Sequence, residues 1–149
     1  MSRVLVVDDD ETIRDTLYEL LSEEYDCQTA ETAEKAFARL EADTYDVVLT
    51  DISMPGLSGV ELLGHIRQRF VDTPVIIISG IGDQEHAQGL IKLGAFAFLL
   101  KPFTLEVVES SVKRAVEYRR RLLEAAPSQA EATGEEARPA EALDWKIVK

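Results

Sequence analysis

Acidic side chains follow two predicted buried strands at the points where those strands end. Asp8 and Asp9 come directly after the strand-like residues 3–7. Asp51 comes directly after residues 47–50, which are rich in β-branched side chains. An aspartate in such a place can simply cap a turn, but adjacent carboxylates repel one another unless a positive group lies among them. If the two strands are neighbours, these residues indicate a cation site.

The carboxylates at these two strand ends favour a hard divalent cation, and Mg²⁺ is the cation that usually binds to a few carboxylates. The two histidines, His65 and His86, both fall within predicted helices, which argues against zinc. Two further predicted strands end at Ser79 and Lys101. A metal ion, a nucleophilic carboxylate, a hydroxyl and an ammonium are the groups that stabilise a transferring phosphoryl group.

Strand and helix patterns alternate along the chain and would bring these residues together. Apolar, β-branched runs predict strands at residues 3–7, 25–29, 47–51, 73–79 and 95–100. Apolar side chains at helical spacing predict a helix after each strand, the fourth at about residues 83–93 and the last continuing through Leu123. The expected fold is α/β: a doubly wound, flavodoxin-like parallel sheet of five strands in the order 2-1-3-4-5, with five helices. In that order strands one and three are central neighbours.

Composition narrows the possible functions. The 149 residues carry a formal net charge of -12, which argues against direct binding of nucleic acid because such binding depends on Lys and Arg. No apolar run approaches the roughly 18 residues of a membrane span, so no membrane association is expected. Cys27 is the only cysteine, and the lack of an internal disulfide fits a cytoplasmic protein.

The composition changes near residue 126, and we predict two parts. Residues 1–125 form the domain, and residues 126–149 form a linker-like tail rich in Ala, Glu, Pro, Ser and Thr. The tail ends in an apolar stretch, 143–148, that contains Trp145. That stretch is either a frayed terminus or a short segment that docks on this domain or on a second copy.

Four motifs together resemble the CheY-like receiver domain of two-component response regulators. They are Asp8-Asp9, the stretch 51–59, Ser79-Gly80 and Lys101-Pro102-Phe103, in this order at the ends of strands one, three, four and five. The resemblance covers residues 3 to about 120. It implies that Asp51 accepts a phosphoryl group, in a Mg²⁺-dependent reaction, from a histidine kinase or a phosphotransfer protein.

The resemblance also implies the metal ligands. Asp9 and Asp51 would bind Mg²⁺ directly, Asp8 would act largely through water, and the backbone carbonyl of Ser53 would be a further ligand. Lys101 would pair with Asp51 at rest and with the phosphoryl oxygens afterwards.

A switch is implied as well. Ser79 would hydrogen-bond the phosphoryl group and draw in the following loop, and Phe98 would turn inward as the aromatic switch residue. The face formed by helix four, strand five and helix five would then control partner binding, with a homodimer through that face as one expectation. The Lys101-Pro102 peptide bond is expected to be cis.

Other functions remain open at this point. A Mg²⁺-dependent phosphohydrolase with an Asp nucleophile is one, although haloacid-dehalogenase-type phosphatases place that nucleophile in an Asp-x-Asp pattern after the first strand. A phosphorelay intermediate without its own output is a second, and a receiver with a defunct site is a third. The resemblance implies a signalling domain rather than an enzyme, one that promotes only its own phosphorylation and dephosphorylation.

Overall fold

The computed structural model of the chain describes residues 1–52, 59–80 and 84–132, with the backbone alone for residues 59, 84–87 and 125–132. Strands and helices alternate throughout. The strands are β1 (Arg3–Val7), β2 (Asp26–Ala30), β3 (Val47–Asp51), β4 (Val75–Ser79) and β5 (Ala97–Leu100). The helices are α1 (Glu11–Leu21), α2 (Ala33–Ala42), α3 (Gly59–Arg69), α4 (Gln84–Lys92) and α5 (Leu105–Ala132).

The five strands form one parallel sheet in the order β2-β1-β3-β4-β5. This confirms the predicted flavodoxin-like fold and places β1 and β3 side by side at the centre. β2 starts one residue later than predicted, β4 starts at Val75 rather than at Thr73, and β5 starts at Ala97 rather than Ala95. The β5 difference arises because α4 ends in a turn at Gly94, whose φ is +113°, and the chain needs two more residues before it pairs with β4.

The sheet is covered on both faces, which explains why its strands are almost continuously apolar. The first core, between the sheet and helices α2, α3 and α4, is built from Leu5, Val7, Leu40, Ile66, Ile77, Leu90 and their neighbours. The second core, between the sheet and helices α1 and α5, is built from Val4, Val6, Leu17, Leu49, Ile78, Leu99, Val112 and their neighbours. Successive residues of a strand point to opposite faces, so each strand contributes to both cores.

Polar side chains begin three of the helices as predicted. Asp10 accepts hydrogen bonds from the backbone N–H groups at the start of α1, with 2.9 Å to the Thr12 nitrogen. Thr32 accepts the Lys35 N–H at 3.1 Å, and Thr104 accepts an N–H from the first turn of α5 at 3.2 Å. These caps satisfy amide groups that a helix leaves without internal partners.

Arg67 of α3 is half-buried although it is a charged residue near the end of its helix, and its guanidinium donates a hydrogen bond of 3.0 Å to the Val71 carbonyl. The guanidinium lies under the turn that follows α4: a Cβ atom on Gly94 would lie 2.8 Å from Arg67 Nε. A long aliphatic stem lets an arginine cover apolar surface while its charged end reaches a carbonyl.

Helix α5 continues to Ala132, beyond the predicted boundary at residue 125, so the first residues of the predicted tail are helical. An ion pair of 2.9 Å between Arg119 and Asp46 holds this helix against the amino end of the sheet. The division into a domain and a tail stays a prediction, and the apolar stretch with Trp145 lies outside the described residues. Among the described helices, none has both the length and the hydropathy that crossing a bilayer requires.

Candidate phosphoacceptor site

The site lies where β1, β3 and β5 end, at the carboxyl edge of the sheet. β1 and β3 pair with Val7 opposite Thr50, so the next residues, Asp8 and Asp51, are also side by side. Asp8 continues the alternation that points Val4 into the second core, and Asp51 and Lys101 continue the same alternation in their strands. The three charged side chains therefore share the face that carries α1 and α5.

The acidic residues meet in space as predicted. One carboxylate oxygen from each of Asp8, Asp9 and Asp51 lies within 4.8 Å of the others. The ammonium of Lys101 lies 3.8 Å from Asp51 Oδ1 and 3.9 Å from Asp8 Oδ2. The Lys101-Pro102 bond is cis, as expected. The structure thus brings together four of the predicted site residues.

Asp8 is held on three sides. Its side chain is completely buried, its Oδ1 accepts the Asp10 N–H at 2.9 Å, and its own N–H donates to the Ala30 carbonyl at 3.2 Å. Its carbonyl accepts a hydrogen bond of 2.9 Å from Arg14. Its second oxygen, Oδ2, is buried without a hydrogen-bond donor in the part of the chain that the structure describes.

Burial and mutual repulsion raise the pKa values of the two buried acids. Burial raises the pKa of Asp51 to about 6, and the charge of Asp8 acts in the same direction, while Lys101 and the Ile52 N–H act against it. The Ile52 nitrogen lies 2.9 Å from Asp51 Oδ1. Burial also raises the pKa of Asp8, against the Asp10 hydrogen bond and Lys101. One lysine does not compensate three carboxylates, so the site attracts a further cation.

These residues fit Mg²⁺. All three side chains offer oxygen ligands, which suit a hard cation, and Mg²⁺ keeps several waters when it binds to a few carboxylates. The buried Oδ2 of Asp8 accepts no hydrogen bond from the described residues, and its ion-pair partner among them is the Lys101 ammonium, 3.9 Å away. Asp9 is exposed, so the edge of the site is open to the waters that such an ion retains.

The two predicted switch residues lie toward the other face of the sheet. Ser79 continues the alternation that points Val75 and Ile77 into the first core, and Phe98 packs against that same core. The Ser79 hydroxyl is completely buried and has no hydrogen-bond partner among the described residues. Ser53, the predicted carbonyl ligand, lies outside the described residues.

Sequence reasoning missed Arg14, which lies one turn into α1. Its Nη1 donates to the carbonyl of Asp8 at 2.9 Å. The available signal was weak: a basic residue shortly after an acidic run, on a helix that the run itself begins. Nothing in such spacing distinguishes a side chain that folds back onto the loop from one that extends into solvent.

Comparison with known proteins agrees with the fold and the site. The response regulator receiver domain family matches residues 4–113. The DNA-binding transcriptional regulator NtrC of Salmonella typhimurium is 40% identical over 116 residues, which are 77% of this chain and 25% of NtrC. The receiver domain of NtrX from Brucella abortus is 37% identical with a TM-score of 0.74, covering 76% of this chain and 98% of that one.

A third relative carries a ligand. The response regulator TrrA from Thermotoga maritima, solved in complex with Mg(2+)-BeF, is 35% identical with a TM-score of 0.69, covering 77% of this chain and 99% of that one. The chain belongs to the response regulator receiver domain family and is a signalling domain of two-component phosphorelay systems. It spans about a quarter of the length of the curated relatives that it matches.

Proposed function

We propose that this receiver domain takes a phosphoryl group from the phosphohistidine of a histidine kinase, or of a phosphotransfer protein, onto Asp51. One observation carries the proposal: oxygens of three carboxylates lie within 4.8 Å of one another, and Lys101 approaches Asp51 to 3.8 Å. The similarity to TrrA, whose complex holds Mg(2+)-BeF, supports the same assignment.

The transfer is a displacement at phosphorus. A carboxylate oxygen of Asp51 forms the new P–O bond as the P–N bond of the donor breaks, and the electron pair of that bond leaves with the imidazole nitrogen, which takes up a proton. A pKa of about 6 leaves Asp51 mainly ionised at neutral pH, so the nucleophile is available. Lys101 pairs with Asp51 before transfer and with the phosphoryl oxygens after it.

The acids would also hold the metal. Asp9 and Asp51 would bind Mg²⁺ directly, Asp8 would act largely through water, and the backbone carbonyl of Ser53 would be a further ligand. When bound, Mg²⁺ would neutralise charge that develops on the phosphoryl oxygens. The Oδ2 of Asp8, which has no hydrogen-bond donor among the described residues, would accept a hydrogen bond from a water.

The switch follows from the new charge. Phosphorylation adds about -1.5 to -2 charge and three strong acceptors. The buried hydroxyl of Ser79 has no hydrogen-bond partner among the described residues and can donate to such an acceptor. Ser79 donates to the phosphoryl group, the loop after β4 follows, and Phe98 turns further into the space beside α4. The face formed by α4, β5 and α5 then presents a different surface.

That face is also where we place protein partners. Exposed apolar side chains occur on α4, in the turn after it, on β5 and at the start of α5, namely Ile91, Leu93, Leu100, Leu105 and Val107. A homodimer through this face is one expected partner, and sedimentation with and without beryllium fluoride tests it. We expect no direct contact of this chain with nucleic acid, because of its net charge of -12.

We also propose that the reaction takes place in the reducing cytoplasm, where the buried thiol of Cys27 stays free.

Acetyl phosphate labelling tests the proposal. The wild-type chain, incubated with acetyl phosphate and Mg²⁺, should take up one phosphoryl group that mass spectrometry of peptides assigns to Asp51. The D51N variant should take up none, and the exposed Asp15, changed in D15N as a matched control, should leave labelling intact. Labelling of D51N at the wild-type rate would contradict the proposal.

The same samples separate the signalling function from the enzymatic alternative. A receiver that promotes its own phosphorylation and dephosphorylation regenerates Asp51, so hydrolysis of p-nitrophenyl phosphate should be no faster than the loss of the phosphoryl group from labelled Asp51. Mg²⁺-dependent turnover that exceeds this rate and that D51N abolishes would instead support an Asp-nucleophile phosphohydrolase.

A further inference from the structure

Arg14 is the one cation outside the proposed site that the structure ties directly to it. From the first turns of α1 its Nη1 reaches back and donates to the carbonyl of Asp8 at 2.9 Å. The side chain is half-buried and lies on the wall of a groove of about 440 Å³ that Lys35 and Arg39 also line. Of these three cations, Arg14 is the one with a hydrogen bond to the acidic loop.

The bond completes the restraint on the β1–α1 loop. The nitrogen of Asp8 is fixed by Ala30, its Oδ1 by the Asp10 N–H, and its carbonyl by Arg14. Of the two carboxylate oxygens of Asp8, Oδ2 is thereby the one that faces Lys101. Without Arg14, the peptide that joins Asp8 to Asp9 loses the donor on its carbonyl and can rotate.

We propose that Arg14 is a positioning residue for the metal site: by holding the Asp8 carbonyl it fixes the directions of the Asp8 and Asp9 side chains and so raises the affinity for Mg²⁺. The inference rests on the proposed function of the acidic site. It assigns no contact between Arg14 and the ion or the phosphoryl group. Groups that orient metal ligands in this indirect way typically change metal affinity by about 10- to 100-fold.

The sign of the effect separates positioning from simple electrostatics. A guanidinium near a cation site repels the cation, so removal of its charge alone would strengthen Mg²⁺ binding or leave it unchanged. Loss of the hydrogen bond would weaken binding. The R14Q and R39Q variants lose the same charge from the walls of the same groove, but only R14Q loses a bond to the acidic loop.

The experiment measures acetyl phosphate labelling of the full chain as a function of Mg²⁺ concentration, with calorimetric Mg²⁺ titration alongside. In R14Q the half-saturating Mg²⁺ concentration should rise about tenfold, while the rate at saturating Mg²⁺ should stay within about twofold of the wild type because the reacting groups are intact. R39Q should bind Mg²⁺ as tightly as the wild type or slightly more tightly. R14K, which keeps the charge and one donor but not the planar fork, should fall between the wild type and R14Q.

Equal Mg²⁺ constants in R14Q and R39Q would overturn the inference while leaving the proposed function intact. If R14Q has no cooperative unfolding transition and is therefore not folded, R14K and R39K replace the first pair of variants. Weaker Mg²⁺ binding by R14K than by R39K would support the positioning role, and equal binding would overturn it. A wild-type chain that neither binds Mg²⁺ nor becomes labelled would refute the proposed function and this inference together.

Discussion

Replacing Asp51 with Asn should stabilise the metal-free protein at neutral pH. Asp51 is nearly buried, and its ionised form is disfavoured by burial and by the charge of Asp8, which together raise its pKa to about 6. An Asn keeps the shape and can still accept the Ile52 N–H through its oxygen, which is 2.9 Å away in the wild type. The substitution therefore removes the unfavourable charge together with its weaker attraction to Lys101, 3.8 Å away.

The size of the effect follows from linkage between protonation and folding. A rise in pKa from 3.8 to about 6 corresponds to about 3 kcal/mol at roughly 1.4 kcal/mol per unit. Water at the open edge of the site screens the charges, so we expect about half of this, ~1.5 kcal/mol. Because the native state binds the proton more tightly than the unfolded state does, the cost is absent below the unfolded value of 3.8, grows as pH rises, and is complete above about 6.

Urea unfolding in the presence of EDTA measures this difference. Near pH 7.5, D51N should be more stable than the wild type by ~1–2 kcal/mol, and near pH 4 the two should agree within about 0.5 kcal/mol. D15N makes the same change in net charge at an exposed position of α1 and should show no such dependence on pH. A D51N variant that is less stable than the wild type at pH 7.5, or that gains the same stability at both pH values, would refute the conclusion that the Asp51 charge destabilises the native state.

Three further predictions concern the metal, the lysine and the turn after α4. Mg²⁺ at about 100 times its dissociation constant should stabilise the wild type by ~2.7 kcal/mol and D51N by clearly less. In thermal melts, addition of Mg²⁺ should therefore reduce or reverse the difference in stability between D51N and the wild type. K101A should still be labelled by acetyl phosphate, but phosphorylation should not change the surface of α4 and β5 in this variant. NMR chemical shifts of β5 that stay the same on phosphorylation of K101A would show this, and chemical-shift changes as large as those of the wild type would contradict it. G94A should lose ~1–2 kcal/mol in urea unfolding, because φ at Gly94 is +113° and the new Cβ would lie 2.8 Å from Arg67 Nε; the double variant G94A/R67A should recover only part of the loss, since the backbone conformation stays unfavourable.

The fold was predictable from the sequence because two signals agreed. Strands such as β4, Val75–Ser79, are short apolar runs without helical periodicity, and each is followed by an amphipathic helix, three of which begin with a capping residue in the described part of the chain. Alternation of this kind leaves few topologies, because parallel crossovers are right-handed and both faces of the sheet must be covered. The start of β5 was predicted less well, since residues 95 and 96 are apolar like the strand but still belong to the connection that follows the turn at Gly94.

The sequence was enough to predict which residues meet in the candidate site. It was not enough to predict the contacts that hold them in place. Strand ends identify Asp8, Asp51 and Lys101 because the carboxyl ends of parallel strands form one edge. The hydrogen bond of Arg14 to the loop and the buried position of Arg67 were not predictable, since long flexible side chains can reach backbone carbonyls or water from the same helical position. Their partners are fixed by the packed structure and not by spacing.

The alternation of the strands divides the proposed signalling mechanism between the two faces of the sheet. Asp8, Asp51 and Lys101 share the face of α1 and α5, whereas Ser79 and Phe98 belong to the face of α4. A phosphoryl group on Asp51 would reach beyond the end of the strand, where the two faces are no longer separated by the sheet. A donor from the second face can meet it only there, so under the proposed function Ser79 moves toward the edge of the sheet when it binds. On this geometry the chemistry at Asp51 can occur without the movement of Ser79.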